Sequence, residues 1–114
     1  MGITKAEALK AVDRERGPVC EASDRIWDQP ETAFQEFYST DVLCELLEKE
    51  GFRVERNLAG IATAFSGTYG SGKPVVGILG EFDALSGLSQ ESESLEKTAL
   101  VDGAPGHGCG HNLL

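Results

Sequence analysis

The sequence has no apolar run approaching the roughly 20 residues that a membrane-spanning helix needs. Its first residues, Met1-Gly2-Ile3-Thr4-Lys5-Ala6-Glu7, lack the apolar core of a secretion signal. Position 6, where a myristoylated N-terminus prefers Ser or Thr, is Ala6. Basic residues are scarce: 10 Lys and Arg stand against 19 Asp and Glu, for a formal net charge of −9. That balance argues against nucleic acid and anionic membrane surfaces, both of which need clustered Lys and Arg. Cysteine is sparse too. Cys20, Cys44 and Cys109 are far apart, odd in number and form no Cys-x-x-Cys pair. A disulfide framework is therefore not expected, and a reducing, cytoplasmic setting is. Repeats and linkers are missing, so residues 1–114 read as one unit. At 114 residues, with 40% hydrophobic and 25% charged residues, the chain is long enough to bury a core.

The periodicity begins as helix. Leu9, Val12, Val19 and Ile26 recur at helical spacing from about Thr4 to Asp28, with Arg16 and Ser23 at the intervening positions. Gly17-Pro18 predicts a kink or two abutting helices, and Gln29-Pro30 ends the segment. Trp27 is the expected anchor of this helix. Phe34 and Phe37 are the apolar contribution of the short stretch that follows, and Ser39 reads as an N-cap. Val42, Leu43, Leu46 and Leu47 then form one helical face, opposed by Glu45, Glu48, Lys49 and Glu50. Gly51 falls where a left-handed C-terminal residue belongs, with Phe52 packing back on the last turn.

After Arg53 the period shortens. Arg53–Leu58 and Ile61–Thr68 read as two strands around a turn at Ala59-Gly60. A second turn at Gly70–Lys73 leads to Val75-Val76-Gly77-Ile78-Leu79, which reads as an interior strand covered on both faces. Helix, helix, strand, strand, strand is the opening of an α/β sheet domain. Ser86–Ala104 has no period and reads as a long polar loop, of the kind that is functional or mobile.

Two stretches carry chemistry, and they are expected to meet in space and form half of a metal site. Glu81 and Asp83 follow the expected interior strand, where ligands sit in open α/β sheets. Residues two apart on an extended chain face the same way, so both carboxylates point into one cleft while Phe82 packs the other way. A plainer reading, that they only cap the loop, stands beside this one. Cys109-Gly110-His111 pairs a thiolate and an imidazole, both good ligands for Zn²⁺, in a glycine backbone that allows close approach. The plainer reading there is a flexible glycine-rich tail. A thiol nucleophile at Cys109 is a third reading. Gly67–Lys73 spells the start of a P-loop, but Pro74 replaces the Ser or Thr that holds Mg²⁺, and no helix follows.

Four segments taken together resemble the N-terminal part of an M20 metallopeptidase of the amidohydrolase branch. They are Ile26–Thr32, Leu79–Leu85, Gly87–Gln90 and Gly106–Leu114. The resemblance implies the N-terminal part of a three-layer α/β/α zinc-peptidase-like catalytic domain. Two N-terminal helices would be followed by a β-meander leading into the central sheet, with no second domain within residues 1–114. It implies two divalent metal ions, Zn²⁺ or Mn²⁺, in the full-length parent. Cys109 and His111 match metal ligands of the branch, and Asp83 matches the acid that orients them. Glu81 stands where other branches place a ligand histidine. Asn112 stands where many members have Asp, although the aminobenzoyl-glutamate group resembles this sequence in having Asn. His107 is a further ligand or a support behind the ligands. Ser86 replaces the usual Pro or Ala before Gly-Leu-Ser-Gln.

The implied reaction is hydrolysis of an amide in a small N-acyl amino acid, dipeptide or aminobenzoyl-glutamate-like substrate. The general base would lie beyond Leu114, so a fragment of this extent is expected to be inactive alone. A homodimer or hetero-oligomer is expected of the full-length parent. The alternative is a stand-alone, non-catalytic metal-binding or interaction module.

Overall fold

A computed structural model describes residues 2–114. The chain runs through helix α1 (Lys5–Asp28), helix α2 (Phe37–Lys49), strand β1 (Arg53–Arg56) and strand β2 (Phe65–Thr68). Short 3-10 turns lie at Leu58–Gly60 and His111–Leu113. This content is that of an α/β fragment: two helices and one two-stranded antiparallel sheet. No helix among the described residues is long and apolar enough to cross a membrane.

Helix α1 begins with a reciprocal cap. The Glu7 amide donates to Thr4 Oγ1 at 3.3 Å, and the Thr4 amide donates to the Glu7 carboxylate at 2.8 Å. The Thr4 side-chain hydrogen bond, followed by the backbone one, holds the Glu7 carboxyl below its ordinary value. One helix continues through Pro18, in place of two abutting ones. A single missing N–H bond is tolerated in a helix of 24 residues.

The apolar stripe expected along α1 buries only its C-terminal end. Leu9, Val12 and Val19 are 56%, 69% and 53% exposed, whereas Ala22, Ser23 and Ile26 are buried. The reason is geometric: α2 lies opposite the last two turns of α1 and leaves the rest overhanging. The core is Ala22, Ile26 and Val42, with Tyr38, Leu43 and Leu46 packed against it. The Arg25 guanidinium donates to the Tyr38 hydroxyl at 3.2 Å across the outer edge of this contact.

Helix α2 starts two residues earlier than the expected cap. Ser39 lies in its first turn, and the cap is supplied from a distance. The Glu31 carboxylate accepts from the amides of Tyr38 (3.0 Å) and Ser39 (2.8 Å) and from the Ser39 hydroxyl (2.8 Å). A carboxylate at a helix N-terminus satisfies amides that have no partner inside the helix, and its charge opposes the positive end of the dipole. Phe34, at φ 67°, and Phe37 are exposed and do not contribute to the core as expected. At the other end, Gly51 is left-handed at φ 86°. Its amide donates to Glu48 O, and the Phe52 amide donates to Leu47 O. That double bond pattern is the glycine C-terminal motif read from the sequence.

Strands β1 and β2 pair in the register Arg53↔Thr68 to Arg56↔Phe65. Both are shorter than expected, because residues 57–64 are used in turning. Asn57 and Ala59 are left-handed, and Leu58 N bonds Ala64 O. The largest departure is Val75–Leu79. The run has no regular secondary structure and pairs with nothing among the described residues, and Leu79 is 98% exposed. A strand exists only through a partner, and apolar composition does not provide one.

A small ladder ties the distant segments together. Thr32 bridges Ala84 in parallel, and Leu85 bridges Gly106 antiparallel. Ala84 N donates to Glu31 O at 2.7 Å, and Leu85 and Gly106 exchange two bonds at 3.0 Å. The Ser86–Ala104 loop is closed at its base by Ser89 N to Ala104 O. Inside it, the Gln90 side chain bonds Glu96 O and the Thr98 amide. The ladder holds residues 83 and 111 close, although 28 positions separate them.

Candidate metal centre

The ladder places the Glu81–Asp83 stretch against the turn at His111–Leu113. Gly110, left-handed at φ 73°, starts that turn and swings His111 toward the carboxylates. His111 Nδ1 lies 2.9 Å from Asp83 Oδ1 and 3.1 Å from the Asp83 carbonyl oxygen. His111 Nε2 lies 3.2 Å from Glu81 Oε1. One ligand atom from each of Glu81, Asp83 and His111 falls within 4.8 Å of the others. Phe82 turns the other way and packs on Phe65, with ring centroids 5.7 Å apart.

The tautomer follows from the partners. Both Asp83 atoms facing Nδ1 are acceptors, so Nδ1 carries a hydrogen. In the neutral ring Nε2 then holds a lone pair, and that lone pair faces the Glu81 carboxylate. Two acceptors 3.2 Å apart repel unless something positive lies between or near them. A proton resolves the conflict, and so does a cation. A carboxylate on Nδ1 that leaves Nε2 free is also how proteins orient and strengthen a ligating histidine.

The two histidines are shifted in opposite directions. The Asp83 hydrogen bond raises His111 above its ordinary value; the charges of Glu81 and Asp83 add to it, and partial burial opposes it. Burial lowers His107, which is 4% exposed beside Trp27 at a centroid distance of 6.4 Å. Neither His107 ring nitrogen makes a hydrogen bond of acceptable geometry. The Ile26 carbonyl lies near enough only to offset part of the burial effect.

In the metal-free chain, the contact between His111 and its carboxylates is complete below about pH 6.5, the unfolded value, and fades as pH rises through the raised one. Proton NMR of the two imidazoles checks this. His111 is expected to titrate above about 6.5 and His107 below it. A shared midpoint would contradict the geometry.

The other sequence candidates lie outside this group. Cys109 is exposed and is not among the three clustered residues, although it stands only two positions before His111. Asn112 turns to α1, where its amide donates to Ser23 Oγ at 2.9 Å and Ser23 O at 3.4 Å. It fastens the His111 turn to the helix. Two glycines let the segment seat. A Cβ on Gly106 would lie 2.0 Å from the Leu88 carbonyl oxygen, and one on Gly108 would lie 2.5 Å from Leu88 Cδ1. Glu31, Ser23 and Leu88 therefore position the centre without carrying any chemical signature in the sequence.

No family model matches the chain. Over 104 residues, 91% of its length, the chain is 48% identical to a subunit of the p-aminobenzoyl-glutamate hydrolase of Escherichia coli (strain K12). The chain is homologous to this hydrolase component. It spans 22% of the length of that relative. The match to the hydrolase therefore covers nearly all of the chain, including most of the stretch that holds Glu81, Asp83 and His111, but a minor part of the relative.

Proposed function

We propose that the chain is the N-terminal part of the catalytic domain of a metal-dependent amidohydrolase of the M20 type. Glu81 and His111 hold a divalent ion, Zn²⁺ or Mn²⁺, and Asp83 orients His111. The carrying observation is the convergence of one ligand atom from each of Glu81, Asp83 and His111 within 4.8 Å, with Nε2 of His111 3.2 Å from the Glu81 carboxylate, a contact that a cation or a proton relieves. Imidazole and carboxylate together suit Zn²⁺ or Mn²⁺. Cys109, two positions before His111, supplies a thiolate, and a second ion completes a two-metal centre with ligands outside residues 1–114.

Bound metal supplies Lewis acidity toward the amide carbonyl and the attacking water. The residues of this chain do the rest of what falls to them. Asp83 keeps the proton on Nδ1, so that Nε2 stays available. Glu81 adds negative charge at the ligand side. The ladder at Ala84, Leu85 and Gly106 fixes both in place. Proton transfer from water belongs to a glutamate base in the remainder of a protein the length of the relative. There Val75–Leu79 joins the central sheet of a three-layer α/β/α domain.

The substrate is a small amide of the N-acyl amino acid, dipeptide or aminobenzoyl-glutamate kind, in keeping with the name of the relative. That relative is named as one subunit of its enzyme, which supports a hetero-oligomer; a homodimer is the other assembly proposed, and the setting is the cytoplasm.

The 114-residue chain loaded with Zn²⁺ or Mn²⁺ is expected to show no turnover of p-aminobenzoyl-glutamate. A chimera in which it replaces the matching stretch of the E. coli relative is expected to hydrolyse that substrate. His111→Ala should lower the rate of the chimera at least about a hundredfold. Turnover by the 114-residue chain alone would contradict the placement of the base. A folded chimera without metal-dependent hydrolysis would favour the non-catalytic module.

A further inference from the structure

The segment that carries His111 rests on one end of α1. Ser23 and Ile26 lie on the same side of that helix, as residues three apart do, and both are buried. His107 packs beside Trp27, and Asn112, the residue after His111, reaches Ser23. The Asn112 side-chain amide donates to Ser23 Oγ at 2.9 Å and to Ser23 O at 3.4 Å. A carbonyl only accepts, so the group that faces Ser23 O is the NH₂ of Asn112. The Asn112 Oδ1 atom is then buried with no hydrogen-bond partner.

These contacts discriminate between two side chains of the same shape. A carboxylate at position 112 would still accept from the Ser23 hydroxyl. It would also set an oxygen against the Ser23 carbonyl and bury the other oxygen without a donor, and burying an unpaired charge is costly. The pocket behind His111 therefore calls for a neutral amide, although a negative charge near a bound cation would by itself favour binding.

We infer that Ser23 is a positioning residue of the metal centre, acting through the Asn112 amide to hold His111 Nδ1 on Asp83 and Nε2 toward Glu81. The inference deepens the metal reading of Glu81 and His111 and rests on it. Left-handed Gly110 swings the ring toward the carboxylates, and the Asn112–Ser23 contact keeps the turn there.

Zinc titration and nitrogen NMR of the imidazole rings, on the 114-residue chain, test it. Ser23→Ala removes the acceptor and favours helix, so α1 is not weakened. It is expected to lower Zn²⁺ affinity about 3–10-fold, the contribution of one hydrogen bond. Asn112→Asp is expected to lower affinity at least as far, although it adds negative charge. Ser23→Ala and Asn112→Ala combined should lose no more than the larger single loss. In the metal-free chain, with its ring neutral, His111 should change from the Nδ1–H form to a mixture of tautomers in each variant, while the Ile26–Val42 contact persists. If Ser23→Ala loses that contact, Asn112→Ala, which leaves α1 untouched, decides on the same two readouts. A wild-type chain that binds no Zn²⁺ would refute the metal reading, and the tautomer of the metal-free ring would still decide whether Ser23 holds His111. Unchanged affinity and tautomer in Ser23→Ala, a gain of affinity in Asn112→Asp, or additive losses in the double variant would overturn the inference.

Discussion

Asp83→Asn is expected to lower the affinity of the chain for Zn²⁺ by about 10–100-fold, the usual consequence of removing a carboxylate behind a ligating histidine. Asp83 contributes two acceptors to one ring nitrogen, its Oδ1 at 2.9 Å and its carbonyl at 3.1 Å. The substitution leaves the carbonyl, so the ring is not released. It does remove the charge that favours the Nδ1 hydrogen and makes Nε2 a better donor to metal. The variant should also lower the titration midpoint of His111, because Asp83 is the largest cause of the upward shift. The two readouts together separate an electronic role from simple unfolding. His111→Ala should lower affinity at least as far, since it removes a ligand instead of its support. Isothermal titration with Zn²⁺ measures both.

Gly106→Ala is expected to be among the most destabilising single-methyl changes available in the chain. The added carbon would lie 2.0 Å from Leu88 O, 2.5 Å from Leu88 C and 3.0 Å from Ser89 N. All three are backbone atoms, so no rotamer change relieves the clash. The segment must move away, and the two Leu85–Gly106 hydrogen bonds are lost with it. Overpacking of this kind costs about 1–3 kcal/mol. At about 4–8 °C per kcal/mol for a small domain, the melting temperature should fall by roughly 5–20 °C. Metal affinity should fall with it, because the His111 turn is carried on the same segment. Gly108→Ala should cost less, since its nearest obstacle is Leu88 Cδ1, the movable end of a side chain. Gly77→Ala meets nothing within 4 Å and should leave the melting temperature unchanged. Thermal denaturation of the three variants gives the ranking directly.

What the sequence made legible was local. The C-terminal glycine motif of α2 depends on one residue that tolerates positive φ and on the apolar residue after it, and Gly51-Phe52 shows both. The C-terminal end of α1 follows from Gln29-Pro30. The direction of Phe82, opposite its acidic neighbours, follows from strand alternation. What was not legible depends on neighbours brought from elsewhere in the chain. Leu9, Val12 and Val19 have the right period for a core face, but period does not say whether anything lies opposite. Val75–Leu79 has strand composition, and a strand needs a partner that composition cannot specify. Glu31 caps a helix that begins six residues later, a span too long for any cap motif. Cys109 is exposed and outside the Glu81–Asp83–His111 group, which its spacing from His111 does not reveal. That the Glu81–Asp83 stretch meets the stretch ending in His111 was expected; the Leu85–Gly106 bridge that brings them together was not, because Gly106 alone is a weak signal.

The central claim is that Nε2 of His111 and the Glu81 carboxylate hold a divalent ion. X-ray absorption at the zinc edge, on the chain loaded with one equivalent of Zn²⁺, tests it most directly. The account predicts an imidazole nitrogen and a carboxylate oxygen in the shell at about 2.0–2.2 Å, with the imidazole signature lost in His111→Ala and kept in His107→Ala. A fully hydrated zinc shell, or an imidazole signature that survives His111→Ala, would contradict it.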